Sequence, residues 1–424
     1  MTPWSRIPVG TRWMMFSYLA GFVFQGGYFV VVARTLGPSD YGTFTGALAL
    51  AGALAALAGF GAGNVLVMET ARDRRRYRIQ MGTALVYVSS SFMPLALIAL
   101  LIGGFNAPSF LRTIAPMLVS ELVFARVIDY GLQAFQAHDM LKGTATVNAA
   151  VGFARLCVVV VFAALGGGDA PHWSAYYAAT NVALALVVIA ICGKLFGNPQ
   201  LDRTALRSTW RNGIFFSIGM ASRTVYADAD KYLLVRFGLE HSAGQYSAAN
   251  KMLNMAFTPI QAAVYSYNTR LFRAGTDGFE AVWVLVRRLL SPIVGYSVAA
   301  ASSLLLVSPF IPRLLGAGYA EATSALQILA PILVFQGLHF LFGDALMGLG
   351  RQAWRSSAQM AVALISVTSN VLLIPRFGWH VAAFTALGSS ALLFLLTFTL
   401  FMRGLHIERQ RARRCSSVAG GLVL

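Results

Sequence analysis

Ionisable side chains inside long apolar stretches are the residues of this sequence that could do chemistry. A charged side chain near the centre of a bilayer costs at least about 2.5–3.5 kcal/mol, so it normally faces the protein interior or a water-filled cavity. Arg155, Arg223 and Lys251 lie in such stretches and have no opposite charge three or four residues away. Because guanidinium groups bind phosphate with paired hydrogen bonds, we expect these cations to line one cavity and hold an anion. A structural role for each is the alternative.

Carboxylates accompany these cations. Glu121 and Asp129 share one apolar stretch with Arg126, and Asp228 and Asp230 lie near the end of another. Arg126 and Asp129 are three residues apart, so they can pair on one helical face. We group Arg126 with the anion-binding cations and treat the four carboxylates as candidates for binding a coupling ion. Structural ion pairs are the alternative for both groups.

Neutral polar residues follow a helical spacing in the stretch that contains Lys251. Asn250 and Asn254 begin this stripe, and Gln261, Tyr265 and Asn268 continue it. Such a stripe suits sugar hydroxyls in a cavity, and polar contacts between helices are the equally open alternative. We find no catalytic set, no cofactor motif and no metal-ligand spacing, and the three cysteines form no CxxC pair.

The composition indicates a membrane protein. The chain has 424 residues, of which 57% are hydrophobic and only 12% are charged, whereas a soluble domain carries roughly 25% charged residues. Most of the surface must therefore face lipid. The net charge of +17 does not indicate nucleic-acid binding, because the basic residues cluster between apolar stretches.

The apolar stretches predict an all-α integral membrane protein with about twelve transmembrane helices, since a span needs about 20 apolar residues. They run roughly over residues 13–33, 43–68, 81–103, 110–135, 144–166, 173–195, 213–235, 243–269, 286–311, 325–349, 356–374 and 379–402. Basic clusters such as DRRRYR at 73–78 alternate with loops poor in Lys and Arg. The positive-inside rule therefore predicts a multi-pass protein with both termini in the cytoplasm.

A short string recurs in the two halves of the chain. VARTLGPSDYGTF at residues 32–44 is echoed by LVRFGLEHSAGQY at 234–246, so that Gly42 aligns with Gly244 at an offset of 202. Both strings lie on the non-cytoplasmic side, as an even number of spans per repeat requires. We predict two six-helix lobes, with chance similarity between glycine-rich turns as the alternative. The predicted divisions are an N-terminal lobe at 1–196, a cytoplasmic linker at 197–212, a C-terminal lobe at 213–403 and a basic cytoplasmic tail at 404–424.

These strings resemble the Wzx-type polysaccharide flippases, a branch of the multidrug/oligosaccharidyl-lipid/polysaccharide exporter superfamily. The first turn carries Arg34, Leu36, Gly37, Pro38, Tyr41 and Gly42 in the family's spacing. The seventh stretch ends in Asp230-Lys231-Tyr232-Leu233-Leu234, followed by Gly244 and Tyr246-Ser247-Ala248. Gly37, Pro38, Tyr41, Gly42 and Gly244 are therefore expected to form rigid turns beside a hinge rather than to touch substrate.

The resemblance implies a V-shaped two-lobe transporter that carries a polyprenyl-pyrophosphate-linked oligosaccharide across the cytoplasmic (inner) membrane. The product would be O-antigen (lipopolysaccharide), capsule or exopolysaccharide. Expected partners are the lipid-linked oligosaccharide, membrane lipids, and a polysaccharide polymerase with its export machinery, but no nucleic acid. A cation-coupled drug antiporter of the same superfamily is one alternative, although the intramembrane Arg and Lys residues argue against it. A membrane polysaccharide polymerase or ligase is another, although the non-cytoplasmic loops are short for an enzyme.

Overall fold

The computed structural model describes residues 9–103 and 108–420, and it contains only helices within those ranges. This confirms the predicted all-α class. The α-helices are α1 (Val9–Ala55), α2 (Ala62–Arg72), α3 (Tyr77–Gly103), α4 (Pro108–Val119), α5 (Ala125–Ala137), α6 (Leu141–Ala164), α7 (Ala170–Phe196), α8 (Arg203–Arg236), α9 (Glu240–Gly275), α10 (Phe279–Val307), α11 (Ile311–Leu315), α12 (Ala320–Leu329), α13 (Ile332–Gly348), α14 (Gln352–Phe377) and α15 (Trp379–Gly420).

Six helical segments in the described residues are long and apolar enough to cross a membrane, and two bent helix pairs raise the number to eight. Three of the predicted spans fall on helices outside this set, namely α4–α5, α8 and α9. These helices carry most of the candidate ionisable residues, which lowers their hydropathy. Their polar faces need protein or water as neighbours, because lipid cannot solvate them. The predicted spans one and two are joined within α1, which has non-helical torsions at Gly37.

The chain forms two compact units. The first comprises Met1–Gly244 with Leu314–Gly318, and the second comprises Gln245–Arg313 with Tyr319–Leu424. In the first unit, α1 packs extensively against α6 and α8, and α4 packs against α7. In the second unit, α15 packs against α13 and α14. Helix α8 thus packs with the first unit, whereas the repeat assigns residues 213–403 to a second lobe. The predicted division into two lobes at residues 197–212 rests on the sequence repeat and stays a prediction.

A buried ion pair joins α13 to α14 in the second unit. Arg355 Nη1 donates to Asp344 Oδ1 at 2.6 Å, and the two side chains are only 14% and 1% exposed. The Arg355 guanidinium also lies 5.9 Å from the ring centroid of Phe340. Both charges have lost water, so each depends on the other for stabilisation.

We expect Asp344→Ala to lower the free energy of unfolding by about 3–5 kcal/mol, because it leaves the arginine buried without its partner. The control is Arg409→Ala, which removes the bidentate pair to Glu280 at 2.8 and 2.9 Å. Both of those side chains are about half exposed, so this change should matter little. Thermal unfolding of the purified variants measures both effects. Equal losses in the two variants would contradict the expectation.

Candidate functional site

The first unit contains a polar cluster that links three of its helices. Arg155 on α6 donates from Nη2 to Oδ1 of Asn181 on α7 at 2.9 Å. Asn181 in turn donates from Nδ2 to the hydroxyl of Ser120 at 2.7 Å. The Arg155 guanidinium also lies 5.2 Å from the ring centroid of Tyr177, one turn before Asn181. Hydrogen bonding and cation–π attraction together fix the direction of this arginine.

Glu121 lies in the same cluster, on an irregular turn. Residues Ser120–Phe124 form a π-helical turn between α4 and α5, and such turns often occur at functional sites because they re-aim side chains. Tyr177 donates its hydroxyl to Glu121 Oε1 at 3.0 Å. Glu121 and Arg155 therefore share Tyr177 as a neighbour.

Arg126 and Asp129 form the ion pair that their spacing predicts, with Nη2 2.9 Å from Oδ2. We call the group of Glu121, Arg126, Asp129 and Arg155, with Ser120, Tyr177 and Asn181, the arginine cluster. Its two arginines and two carboxylates balance when all four are charged. The Nε atoms of Arg126 and Arg155 are nevertheless buried without a protein acceptor among the described residues. The cluster thus has donor capacity left for a further acceptor.

The candidate carboxylates on α8 interact with Lys231 of the same helix. Lys231 forms an ion pair with Asp228, and its side chain is 13% exposed. The backbone N–H of Lys231 donates to Asp230 Oδ1 at 2.8 Å, and Asp230 is 7% exposed. Arg223 is exposed on the same helix. These contacts support a structural role for Asp228, Asp230 and Lys231, and a role in ion coupling stays a prediction.

The polar stripe of α9 belongs to the second unit from Gln245 onward. Asn254 donates from Nδ2 to Asn250 Oδ1 at 2.5 Å, and Gln261 donates to the hydroxyl of Tyr265 at 3.4 Å. Asn254 and Tyr265 are exposed. The Tyr265 ring also packs against Phe340 of α13, with centroids 5.6 Å apart. A cavity lining and contacts between helices therefore both stay predictions for this stripe.

The cations predicted to share one cavity divide between the units. Arg155 and Arg223 belong to the first unit, and Lys251 belongs to the second. Arg155 is joined by Arg126, Glu121 and Asp129 as described above. A single cavity lined by all three cations stays a prediction.

The two repeated turns contact each other inside the first unit. A Cβ atom on Gly42 would lie 1.9 Å from the carbonyl oxygen of Glu240, and one on Gly244 would lie 1.8 Å from that of Pro38. Ser39 Oγ lies 3.4 Å from Nδ1 of His241. Ser39 and His241 are 202 residues apart, and the same offset maps Gly42 onto Gly244 and Pro38 onto Glu240. The two glycine contacts are therefore equivalent under the predicted repeat.

The first turn is also tied to α7. Gly37 adopts a φ of 70°, which glycine tolerates because it lacks a Cβ atom. Asp40 Oδ1 accepts from the backbone N–H of Ala170 at 3.0 Å, at the start of α7. Tyr41 is buried, with its ring centroid 6.2 Å from that of Phe29. These contacts agree with the predicted rigid turn, and a role beside a hinge stays a prediction.

Tyr177 was not among the sequence candidates, although it touches two members of the arginine cluster. The signal that could have found it is its spacing of four residues from Asn181 on an otherwise apolar helix. Two polar residues on one face of such a helix predict a polar neighbour. That neighbour is Arg155, which comes from another helix.

Comparison with known proteins identifies the fold and the family. The fold is similar to an inward-facing multidrug resistance MATE family transporter of the MOP superfamily (16% identity, TM-score 0.66, covering 95% of this chain and 96% of that one). It is also similar to the lipid II flippase MurJ in an inward closed conformation (11% identity, TM-score 0.71, covering 92% and 87%). A eukaryotic MATE transporter gives 14% identity and a TM-score of 0.60, covering 95% and 99%. No curated protein matches the sequence. Residues 9–267 match the family described as polysaccharide biosynthesis protein, and the chain belongs to that family.

Proposed function

We propose that the protein is a flippase that moves polyprenyl-pyrophosphate-linked oligosaccharide repeat units across the cytoplasmic membrane for the synthesis of O-antigen, capsule or exopolysaccharide. The family match and the membrane-transporter fold support this proposal. The proposed orientation has both termini in the cytoplasm. A polysaccharide polymerase and its export machinery would take the flipped repeat unit.

The arginine cluster is the observation that carries the proposal. A pyrophosphate head group is anionic and needs charge-assisted donors once it leaves water. Arg155 and Arg126 lie on neighbouring helices of the first unit, and each has a buried Nε–H without an acceptor among the described residues. Asn181 fixes the direction of Arg155 before any ligand arrives. Such preorganisation lowers the cost of binding, because less side-chain freedom is lost.

The carboxylates of the arginine cluster would couple ion binding to binding of the head group. Glu121 and an incoming phosphate would compete for the positive charges of the arginine cluster. A proton or cation bound at Glu121 or Asp129 would leave the arginines in excess and favour the anion. Release of that ion would restore the neutral cluster and favour release of the head group.

The fold alone does not separate a flippase from a cation-coupled drug antiporter, because the MATE transporters and MurJ have similar TM-scores to this chain. The charge of the cluster separates them once a proton or cation has neutralised Glu121 or Asp129. The arginines are then in excess, so they repel an organic cation and attract an anion. A polymerase or ligase is disfavoured because the solved structures with a similar fold are described as transporters and a flippase.

Deletion of the gene in its native host tests the proposal. We expect lipid-linked oligosaccharide to accumulate on the cytoplasmic leaflet and surface polysaccharide to disappear, while drug susceptibility stays unchanged. Both phenotypes should be restored by the wild-type chain. Normal surface polymer in a host without a second flippase would refute the assignment, and a drug-sensitive strain with normal polymer would favour the antiporter.

A further inference from the structure

A second polar site lies at the repeated turns, and it shares no residue with the arginine cluster. A half-open cavity of about 330 Å³ is formed in the first unit by three segments of chain. Its lining, which we call the turn pocket, consists of Ser39, Asp40, Thr43, Ser109, Phe110, Gly238, Leu239, Glu240, His241 and Ser242. The predicted orientation places both turns on the non-cytoplasmic side.

The walls of the turn pocket are fixed by contacts that do not depend on a ligand. The reciprocal contacts of Gly42 and Gly244 hold the two turns together at backbone distance. Asp40 is held by its hydrogen bond from Ala170, and Thr43 donates its hydroxyl to the carbonyl of Ser39 at 3.1 Å. A preformed pocket of this kind binds a ligand with little ordering cost.

The chemistry of the lining selects a class of ligand. Asp40 and Glu240 are acidic, and the described residues of the lining include no Lys or Arg, so a pyrophosphate group would be repelled. The hydroxyls of the three serines and the imidazole of His241 add further hydrogen-bonding groups. Carboxylates and hydroxyls together match the hydroxyls of a sugar ring, which act as donors and acceptors at once.

The volume and the walls of the turn pocket also fit a sugar ring. Ligand pockets span about 300–1,000 Å³, so this one is at the lower limit and suits a single ring. Phe110 and Leu239 supply an apolar wall for the C–H face of such a ring. Phe110 is itself buried against Tyr232, with ring centroids 6.1 Å apart, so that wall is firmly held.

We propose that the turn pocket binds one sugar ring of the carried oligosaccharide at the non-cytoplasmic end of the protein. The identity of that oligosaccharide as cargo rests on the proposed function. The arginine cluster would hold the anionic end of the substrate, and the turn pocket would hold a neutral or amino sugar. Separate sites for the two chemistries allow the sugar to be retained after the head group is released.

Saturation-transfer NMR on the full chain in lipid nanodiscs tests the proposal, because maltoside detergents would themselves compete for a sugar site. The probes are methyl glucoside, methyl galactoside, N-acetylglucosamine and glucosamine. We expect transfer to at least one ring. Glu240→Gln should weaken it roughly tenfold, because hydrogen bonds to a charged acceptor are the stronger ones. Ser242→Trp should abolish it by filling the pocket.

The matched control is Glu321→Gln. Glu321 also lies in the first turn of its helix, but it is outside the pocket and accepts from Trp379 Nε1 at 3.1 Å. A glutamine can keep that bond, so sugar binding should be unchanged. The proposal is overturned if no ring receives transfer, if both pocket variants bind as well as wild type, or if an organic cation such as ethidium occupies the pocket and sugars do not.

A separate assay distinguishes this outcome from failure of the proposed function. Liposomes with the reconstituted wild-type chain report movement of a fluorescent lipid-linked oligosaccharide between leaflets. A chain that binds sugar rings through Glu240 but moves no such lipid supports the pocket and refutes the flippase. A chain that moves the lipid but binds no ring supports the flippase and overturns the pocket.

Discussion

Replacing Arg155 with alanine is expected to lower the affinity for the pyrophosphate head group about ten- to a hundred-fold, because charge-assisted hydrogen bonds contribute about 1.5–3 kcal/mol each. Export of surface polysaccharide should fall with it. Arg155→Lys should retain part of the activity, since the charge remains but the planar fork that matches phosphate does not. Arg155→Glu should be worse than alanine, because it repels the phosphate.

The structural alternative for Arg155 predicts a different result. The side chain bonds to Asn181 and stacks near Tyr177, so its loss could also destabilise the bundle. Membrane abundance measured beside export separates the two effects. The control is Arg74→Ala, which removes an arginine that is 68% exposed and 3.9 Å from its acidic partner Asp139. If the Arg155→Ala variant reaches wild-type abundance and exports wild-type amounts of polysaccharide, Arg155 does not bind the head group.

Sequence spacing predicted the contacts between residues of the same helix. Arg126 and Asp129 pair as residues three apart on a helix do. The partners of Arg155 could not be predicted in this way, because Asn181 and Tyr177 come from α7, which is adjacent only in the folded bundle. The sequence therefore indicated that Arg155 lacked a local partner, and tertiary packing supplied one.

Irregular backbone was the other feature that the sequence did not reveal. The apolar run at 43–68 predicts one continuous helix, but the structure breaks it between α1 and α2. Gly59 and Gly61 adopt left-handed torsions, and Phe60 between them has a φ of 48°. Glycines within an apolar run do not by themselves predict a break, because tertiary contacts decide whether their conformational freedom is used. Gly59 is buried, with its N–H donating to Ser91 at 3.0 Å.

The glycines of the repeated turns show what the sequence repeat predicted and what it did not. Alignment of Gly42 with Gly244 predicted equivalent positions in two repeats, but it gave no reason for glycine at either. The structure supplies the reason, because each glycine faces a backbone carbonyl of the other turn. The contact is reciprocal, so both positions are under the same steric limit.

Gly42→Ala and Gly244→Ala are each expected to lower the free energy of unfolding by about 3 kcal/mol, the upper end of the usual cost of overpacking. The added Cβ atoms would lie 1.9 and 1.8 Å from carbonyl oxygens of the facing turn. These obstacles are backbone atoms, so no side chain can rotate away and the turns must separate. The two losses should be similar, because the contacts are related by the repeat.

The double variant should cost less than the sum of the two single variants, since the first substitution has already separated the turns. Gly52→Ala is the control, because a Cβ atom there meets nothing within 4 Å. That residue lies within α1, where alanine is favoured over glycine by about 0.5–1 kcal/mol, so this variant should be neutral or stabilised. Thermal unfolding and membrane yield measure all four variants. If Gly42→Ala and Gly244→Ala unfold like Gly52→Ala, the turns do not meet at backbone distance, and the turn pocket loses the contact that fixes its walls.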